Sequence, residues 1–243
     1  MSKTILKVNQ IIKDLSWIEV LHQVSFQVLE WEIYWFLWPN GAGKTTTMKC
    51  IMWLIIPESW EIEILGDTQL STQTKAQIGF MPENTYLYKY LTWKEFLRFN
   101  GKFFWLTGEK LEKKIQELLE KVWLQDAWDK FLHSYSKWML QRIGLAQSII
   151  NNPKILFLDE PMSGLDPIGR KMVKNLILEL RNEGTTIFFN THILADVESI
   201  CDRFSIINRW NIIVQNKKVE ELEKSLEDFF IEEIEKSNNS LEN

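Results

Sequence analysis

Residues 33–46, I-Y-W-F-L-W-P-N-G-A-G-K-T-T, constrain this chain more than any other stretch. The apolar run 33–37 reads as a buried strand. It runs straight into a glycine-containing loop and then a helix from Thr45 to about Met52. A second apolar run, I-L-F-L-D at 155–159, ends in an acid. Alternation at 5–9 and 18–28 predicts strands of a half-exposed sheet, with a turn and strand at 57–64 and a short strand at 78–81. From about Thr92 to Ile150 the period becomes helical, with Leu111, Ile115, Leu118, Leu119 and Val122 on one face. A helix at about 168–182, a strand at 185–190, a short helix after His192 and hairpin strands at 204–207 and 211–215 complete the pattern. Strands alternating with helices predict an α/β fold with a largely parallel sheet.

The loop after the first strand carries specific chemistry. A phosphate cradle needs glycines so that backbone N–H groups can face the oxygens, a lysine for the β- and γ-phosphates, and a hydroxyl for Mg²⁺. Gly41, Gly43, Lys44 and Thr45 supply these, and the next helix aims its positive end at the anion. One glycine of the G-x-x-x-x-G-K-[ST] pattern is absent: Trp38 stands there. Asp159, at the end of an apolar strand, is placed to hold Mg²⁺ directly or through water. Its neighbour Glu160 can orient and polarise an attacking water.

Composition narrows the partners. The net charge is −5, with no long basic block, so no nucleic-acid surface is indicated. The first residues show no secretion signal, and no window approaches 18 apolar residues, so a partner would have to supply any membrane span. Cys50 and Cys201 lie far apart in sequence and read as buried, reduced thiols. The tail from Lys217 is acidic and reads as a solvated amphipathic helix that frays at its end.

Taken in order, the motifs resemble those of the ATP-binding cassette (ABC) ATPase family, over nearly the whole chain. W-P-N-G-A-G-K-T-T at 38–46 resembles Walker A, and M-P-E-N at 81–84 the Q-loop, with Glu83 where the family has Gln. Y-S-K-W-M-L-Q-R at 135–142 resembles the signature motif, and I-L-F-L-D-E-P at 155–161 Walker B. S-G-L-D-P at 163–167 resembles the D-loop, and Thr191-His192 the switch histidine. The resemblance implies a P-loop NTPase (RecA-like) core with a mostly parallel sheet, an N-terminal antiparallel β subdomain and an inserted helical subdomain at 85–150. The cassette would span 1–216, and 217–243 would be a helical tail.

The resemblance also implies roles. Asn40, Gly41, Ala42, Gly43, Lys44, Thr45 and Thr46 would bind the phosphates of ATP; Thr45, Asp159 and Glu83 would serve Mg²⁺ and the attacking water. Glu160 would be the general base, and His192 would contact the γ-phosphate. Ser136 and position 138, now Trp138, would cap the γ-phosphate of a partner subunit from a helix N-terminus. The adenine platform falls near Leu15, where stacking on an aromatic ring is lost. Implied partners are a second copy or a homologous ATPase subunit, and a separate transmembrane permease that holds the protein at the cytoplasmic face of the membrane. Transport, toward export, is the implied task.

The tryptophans do not fit this picture. Trp numbers 12 and Gly only 10, whereas average usage would give roughly 17 glycines. Trp38 and Trp138 stand where the family has glycine, Trp31 and Trp60 in expected turns, Trp53 and Trp123 at helix C′ positions, and Trp210 in a hairpin. Reverting Trp31, Trp35 and Trp38 to glycine gives a regular phosphate loop. This points to a sequence translated with UGA as tryptophan from a gene whose cell reads UGA as glycine. If the indoles are real, the chain reads instead as an impaired or regulatory ABC-type subunit. A soluble cassette of translation or DNA repair is a further alternative, but those usually carry two cassettes or long coiled-coil insertions, and neither is present.

Overall fold

The computed structural model describes residues 3–15, 18–37, 44–84, 87–125 and 130–239, with backbone alone at Leu15, 18–20, 44–45 and 60. A hairpin opens the chain: β1 (Thr4–Leu15) pairs antiparallel with β2 (Ile18–Leu29). β3 (Ile33–Leu37), α1 (Lys44–Ile51), β4 (Ser59–Ile64), α2 (Thr72–Lys75) and β5 (Ile78–Met81) follow. Three helices come next, α3 (Trp93–Lys102), α4 (Gly108–Lys121) and α5 (Lys137–Ser148). Then β6 (Ile155–Asp159), α6 (Pro167–Asn182), β7 (Thr186–Asn190) and α7 (Leu194–Glu198) alternate. β8 (Arg203–Asn208), β9 (Asn211–Lys218) and α8 (Leu226–Asn239) end the described chain.

Two sheets result. β2-β1-β4 is antiparallel, and β5-β6-β7-β3-β8-β9 is parallel except for the edge strand β9. The four strands at the centre of the larger sheet are mostly apolar and buried throughout except at Arg203, as expected for parallel strands covered on both faces. One core lies between the two sheets and includes Phe26, Tyr34, Phe36, Phe157 and Phe188. Their rings sit 4.8–5.9 Å apart, within the range of favourable aromatic pairs. The other core joins the opposite face of the large sheet to the helices and includes Trp35, Leu111, Ile115, Ile143 and Leu158. The expected α/β fold, with an antiparallel β layer and a helical region, is what the chain forms.

Local chemistry sets the helix starts. α3 begins with a capping box: the Thr92 hydroxyl accepts from Glu95 N–H at 3.3 Å, and the Glu95 carboxylate accepts from Thr92 N–H at 2.8 Å. Asp166 caps α6, accepting from Gly169 N–H at 2.6 Å, with Pro167 at the first helical position.

Three expectations change. Trp60 lies in β4 and not in a turn. β1 extends to Leu15 because irregular pairing around Gln10, whose φ is 49°, interrupts the alternation and hides the second half of the strand. The tail is not simply solvated. Leu226 is fully buried, and the Phe229 ring meets Phe204 edge-on at 5.9 Å, so α8 docks on β8 and β9. Cys50 and Cys201 are buried and unpaired as expected, and burial pushes the Cys50 thiol up to about 11.

Candidate nucleotide site

The parallel strands all point their carboxyl ends at one edge of the sheet. In open α/β sheets that edge is where ligands bind. Pairing aligns Met81 with Leu158, Asp159 with Asn190, and Trp35 with Phe189. Glu83 therefore follows β5, Asp159 ends β6 with Glu160 next to it, His192 follows β7, and α1 follows β3. Four of the sequence-predicted groups thus emerge side by side from adjacent strands.

The centre of the group is Glu160. It sits at φ 52°, a left-handed conformation that turns the chain sharply off β6. Its N–H donates to the Asn190 side-chain oxygen at 2.9 Å and to the Asn190 carbonyl at 3.1 Å. Its own carboxylate is buried, with the side chain 7% exposed, and Oε2 lies 3.0 Å from His192 Nδ1. A carboxylate can only accept, so in this contact Nδ1 carries the hydrogen. The His192 side chain is 56% exposed, so its ring reaches from the buried acid toward solvent. Asp159 is buried beside it at the strand end.

Two side chains that the sequence did not single out hold this arrangement. Asn190 fixes the turn at Glu160 and also bonds the Met48 sulfur at 3.7 Å, tying β6 and β7 to α1. Gln141 on α5 donates to the carbonyls of Pro161 and Glu160, at 2.5 and 3.4 Å. Asn190 carries a visible signal, a polar residue at the end of an apolar strand. Gln141 is buried on a helix face that periodicity alone assigns to core.

The other predicted residues are placed as follows. Ser136 is the N-cap of α5, its hydroxyl accepting from Met139 N–H at 3.3 Å. Trp138 is the second residue of α5, in its first turn, where the Arg142 guanidinium stacks on its ring at 4.6 Å and the indole packs toward Gly169 on α6. Glu83 is exposed and lines an open cleft with Lys137, Leu140 and Gln141. Thr46 is partly exposed on α1. Asn40, Gly41, Ala42 and Gly43 lie outside the described residues, as do the side chains of Lys44, Thr45 and Leu15.

Comparison with known proteins places this geometry. Residues 21–163 match the ABC transporter family model. An uncharacterised ABC transporter ATP-binding protein of Synechocystis is 44% identical over 207 residues, which is 84% of this chain and 58% of the relative. This chain thus spans less than three-fifths of that relative's length. The bacitracin transport ATP-binding protein of Bacillus licheniformis is 36% identical over 213 residues, covering 86% of this chain and 69% of the relative. A solved ATP-binding subunit of an ABC transporter superposes with a TM-score of 0.86 at 28% identity, covering 95% of this chain and 99% of that one. The strand-end acids, the helix that follows β3 and these likenesses agree: the chain carries an ABC ATPase domain and belongs to the ABC transporter ATP-binding protein family.

Proposed function

We propose that this protein binds and hydrolyses Mg·ATP and drives a separate transmembrane permease, as one half of an ATP-sandwiched dimer. The observation that carries this reading is the buried Glu160 carboxylate held 3.0 Å from His192 at the carboxyl edge of the sheet. A general base needs a fixed carboxylate within hydrogen-bond reach of the water it polarises. Glu160 has Oε2 fixed by His192 at 3.0 Å, which holds the carboxylate in place at the strand end. With Nδ1 engaged by Glu160, Nε2 is the ring nitrogen through which His192 meets the γ-phosphate in this reading. Asn190 and Gln141 hold the turn in register, so the acid need not reorganise during the reaction.

Mg²⁺ and ATP fit the donor set. Asp159 offers a hard oxygen ligand, and Mg²⁺ bound with phosphates needs only one or two protein carboxylates. When bound, the ion neutralises phosphate charge. In this reading Thr45 and Glu83 are further oxygen donors. Asn40 to Thr46 give backbone amides to the phosphates, with Lys44 as the cation. Ser136 and residue 138 face the partner subunit's nucleotide from the N-terminal turn of α5, and Leu15 packs on the base. The cassette over 1–216 carries its helical subdomain at 85–150, and 217–243 forms the tail.

No helix among the described residues is long and apolar enough to cross a membrane. The permease supplies the spans and holds the ATPase at the cytoplasmic face. The resemblance to exporter subunits supports outward transport, and the relative that carries the name of bacitracin transport agrees with a transport role.

The test is steady-state ATP hydrolysis by the protein, against Glu160→Gln. The variant should retain nucleotide binding and lose turnover by about 10²–10⁴-fold. Full turnover in the variant removes Glu160 from the mechanism. A second reading rests on Trp138: an indole literally present at the N-terminal turn of α5 obstructs a facing phosphate and predicts an impaired ATPase.

A further inference from the structure

Five tryptophans occupy backbone that L-residues avoid. Trp31, Trp53, Trp105, Trp123 and Trp210 have φ of 66°, 56°, 57°, 55° and 69°. Among the described residues 13 non-glycine positions have positive φ, and these five are tryptophan. The other eight are spread over five residue types, none with more than two. Tryptophan is 12 of 243 residues, so a proportional share of 13 positions is less than one. A large β-substituent has no reason to prefer left-handed backbone; glycine does.

The local geometry names the missing residue. After α6, Gly184 donates to the Arg181 carbonyl at 2.9 Å and Thr185 donates to Leu180 at 3.0 Å. This crossed pair is the Schellman ending, whose left-handed C′ residue is usually glycine. The same pair closes three other helices. Trp53 donates to Cys50 and Leu54 to Lys49 after α1; Trp105 donates to Lys102 and Leu106 to Gly101 after α3; Trp123 donates to Glu120 and Leu124 to Leu119 after α4. Four helix ends share one hydrogen-bond pattern, one with glycine and three with tryptophan. Trp210 is the second central residue of the two-residue β8–β9 turn, flanked by the Asn208–Asn211 pair, with Arg209 also at positive φ. That is a type I′ turn, and glycine dominates its second position.

Strain kept for function gathers at active sites. Trp31 precedes β3 and Trp53 closes α1, both away from the carboxyl edge of the sheet, so function does not account for them; the β8–β9 turn does lie at that edge, and its type I′ geometry is what calls for glycine there.

We infer that residues 31, 53, 105, 123 and 210 are glycine in the protein as its own cell makes it, encoded by UGA codons that are rendered here as tryptophan. The same codon then accounts for Trp38 and Trp138, and glycine at both opens the phosphate loop and the α5 N-terminus to nucleotide; this extension alone rests on the proposed ATPase function. Trp35 and Trp93 sit in regular elements and are buried, so backbone does not decide them.

Peptide mass mapping of protein isolated from its source cells tests the inference without any nucleotide. Glycine-mass peptides at all five positions are expected, with an intact mass below 28.9 kDa. Tryptophan at any of the five, or a UGG codon there, overturns it. Recombinant chains give a second readout. With all five positions changed together, the glycine version should melt on the order of 10 °C above the alanine version. An alanine version that melts as high or higher overturns the inference. Neither measurement uses ATP, so a failed ATPase assay leaves both outcomes intact.

Discussion

The sign of a glycine-to-alanine difference is the sharpest consequence of this backbone. At ordinary helical positions alanine is better than glycine by about 1 kcal/mol. At Gly184, φ is 96°, and an added β-carbon would meet only the Trp31 indole nitrogen, at 3.8 Å. That is ordinary contact, so the cost of Gly184→Ala is conformational. Left-handed backbone costs an L-residue roughly 1–2 kcal/mol, and the lower entropy of unfolded alanine returns about 0.4–1 kcal/mol. The net loss is about 1 kcal/mol, or about 2–4 °C in Tm for a chain of this size. At position 105 the comparison runs between two variants. Trp105→Gly and Trp105→Ala both forfeit what the indole buries, which is limited because Trp105 is 73% exposed. They differ only in what the backbone tolerates at φ 57°. Glycine should therefore be the more stable by about 1 kcal/mol. Urea unfolding measures both pairs, with an unchanged m-value required before midpoints are compared. Alanine equal to or better than glycine at either site refutes the reasoning.

Four further outcomes follow from the same structure. His192→Ala should lower kcat by about 10²-fold with a smaller effect on nucleotide affinity, since it removes one charge-stabilising donor; single-turnover kinetics separates the two. Arg203→Met should destabilise the fold by roughly 3–5 kcal/mol, because it strands the buried Glu32 carboxylate 3.3 Å from the lost guanidinium, and chemical denaturation reads the loss. Burial, acting against a Leu29 N–H bond and Arg203, raises the Glu32 pKa. Its stability contribution is therefore full below the unfolded value and falls as pH rises through the folded one, so the stability difference between wild type and Glu32→Gln should change sign-consistently across mildly acidic pH. Thr92→Ala should cost about 1 kcal/mol by removing the α3 capping box, seen as a lower midpoint at constant m.

Much of the fold was legible because its decisive signals are local. The runs at 33–37 and 155–159 are strands to the residue, since a short run of four or five consecutive apolar residues has few other places to go. The strand expected at 78–81 is found there, and the helix expected at about 168–182 starts one residue earlier, at Pro167, behind its Asp166 cap. The second half of β1 was hidden because a bulge shifts the side-chain period, and the tail looked solvated because its apolar residues Leu226 and Phe229 find a surface only when β8 and β9 are in place.

The amino-acid sequence alone named the chemistry: a loop of glycines ending in Lys44-Thr45 and an acid pair at 159–160 by type and spacing, and a histidine at 192 by the family resemblance. It could not show which strand lies beside which. Only the order β5-β6-β7-β3 brings Glu83, Glu160 and His192 to one edge, and only tertiary packing recruits Asn190 and Gln141 to hold the Glu160 turn. The backbone angles belong to that second kind of information as well. A count of tryptophans is a composition, but five of them at positive φ is a property of helix ends and turns closing in three dimensions, where a β-carbon and a neighbouring carbonyl compete for the same space.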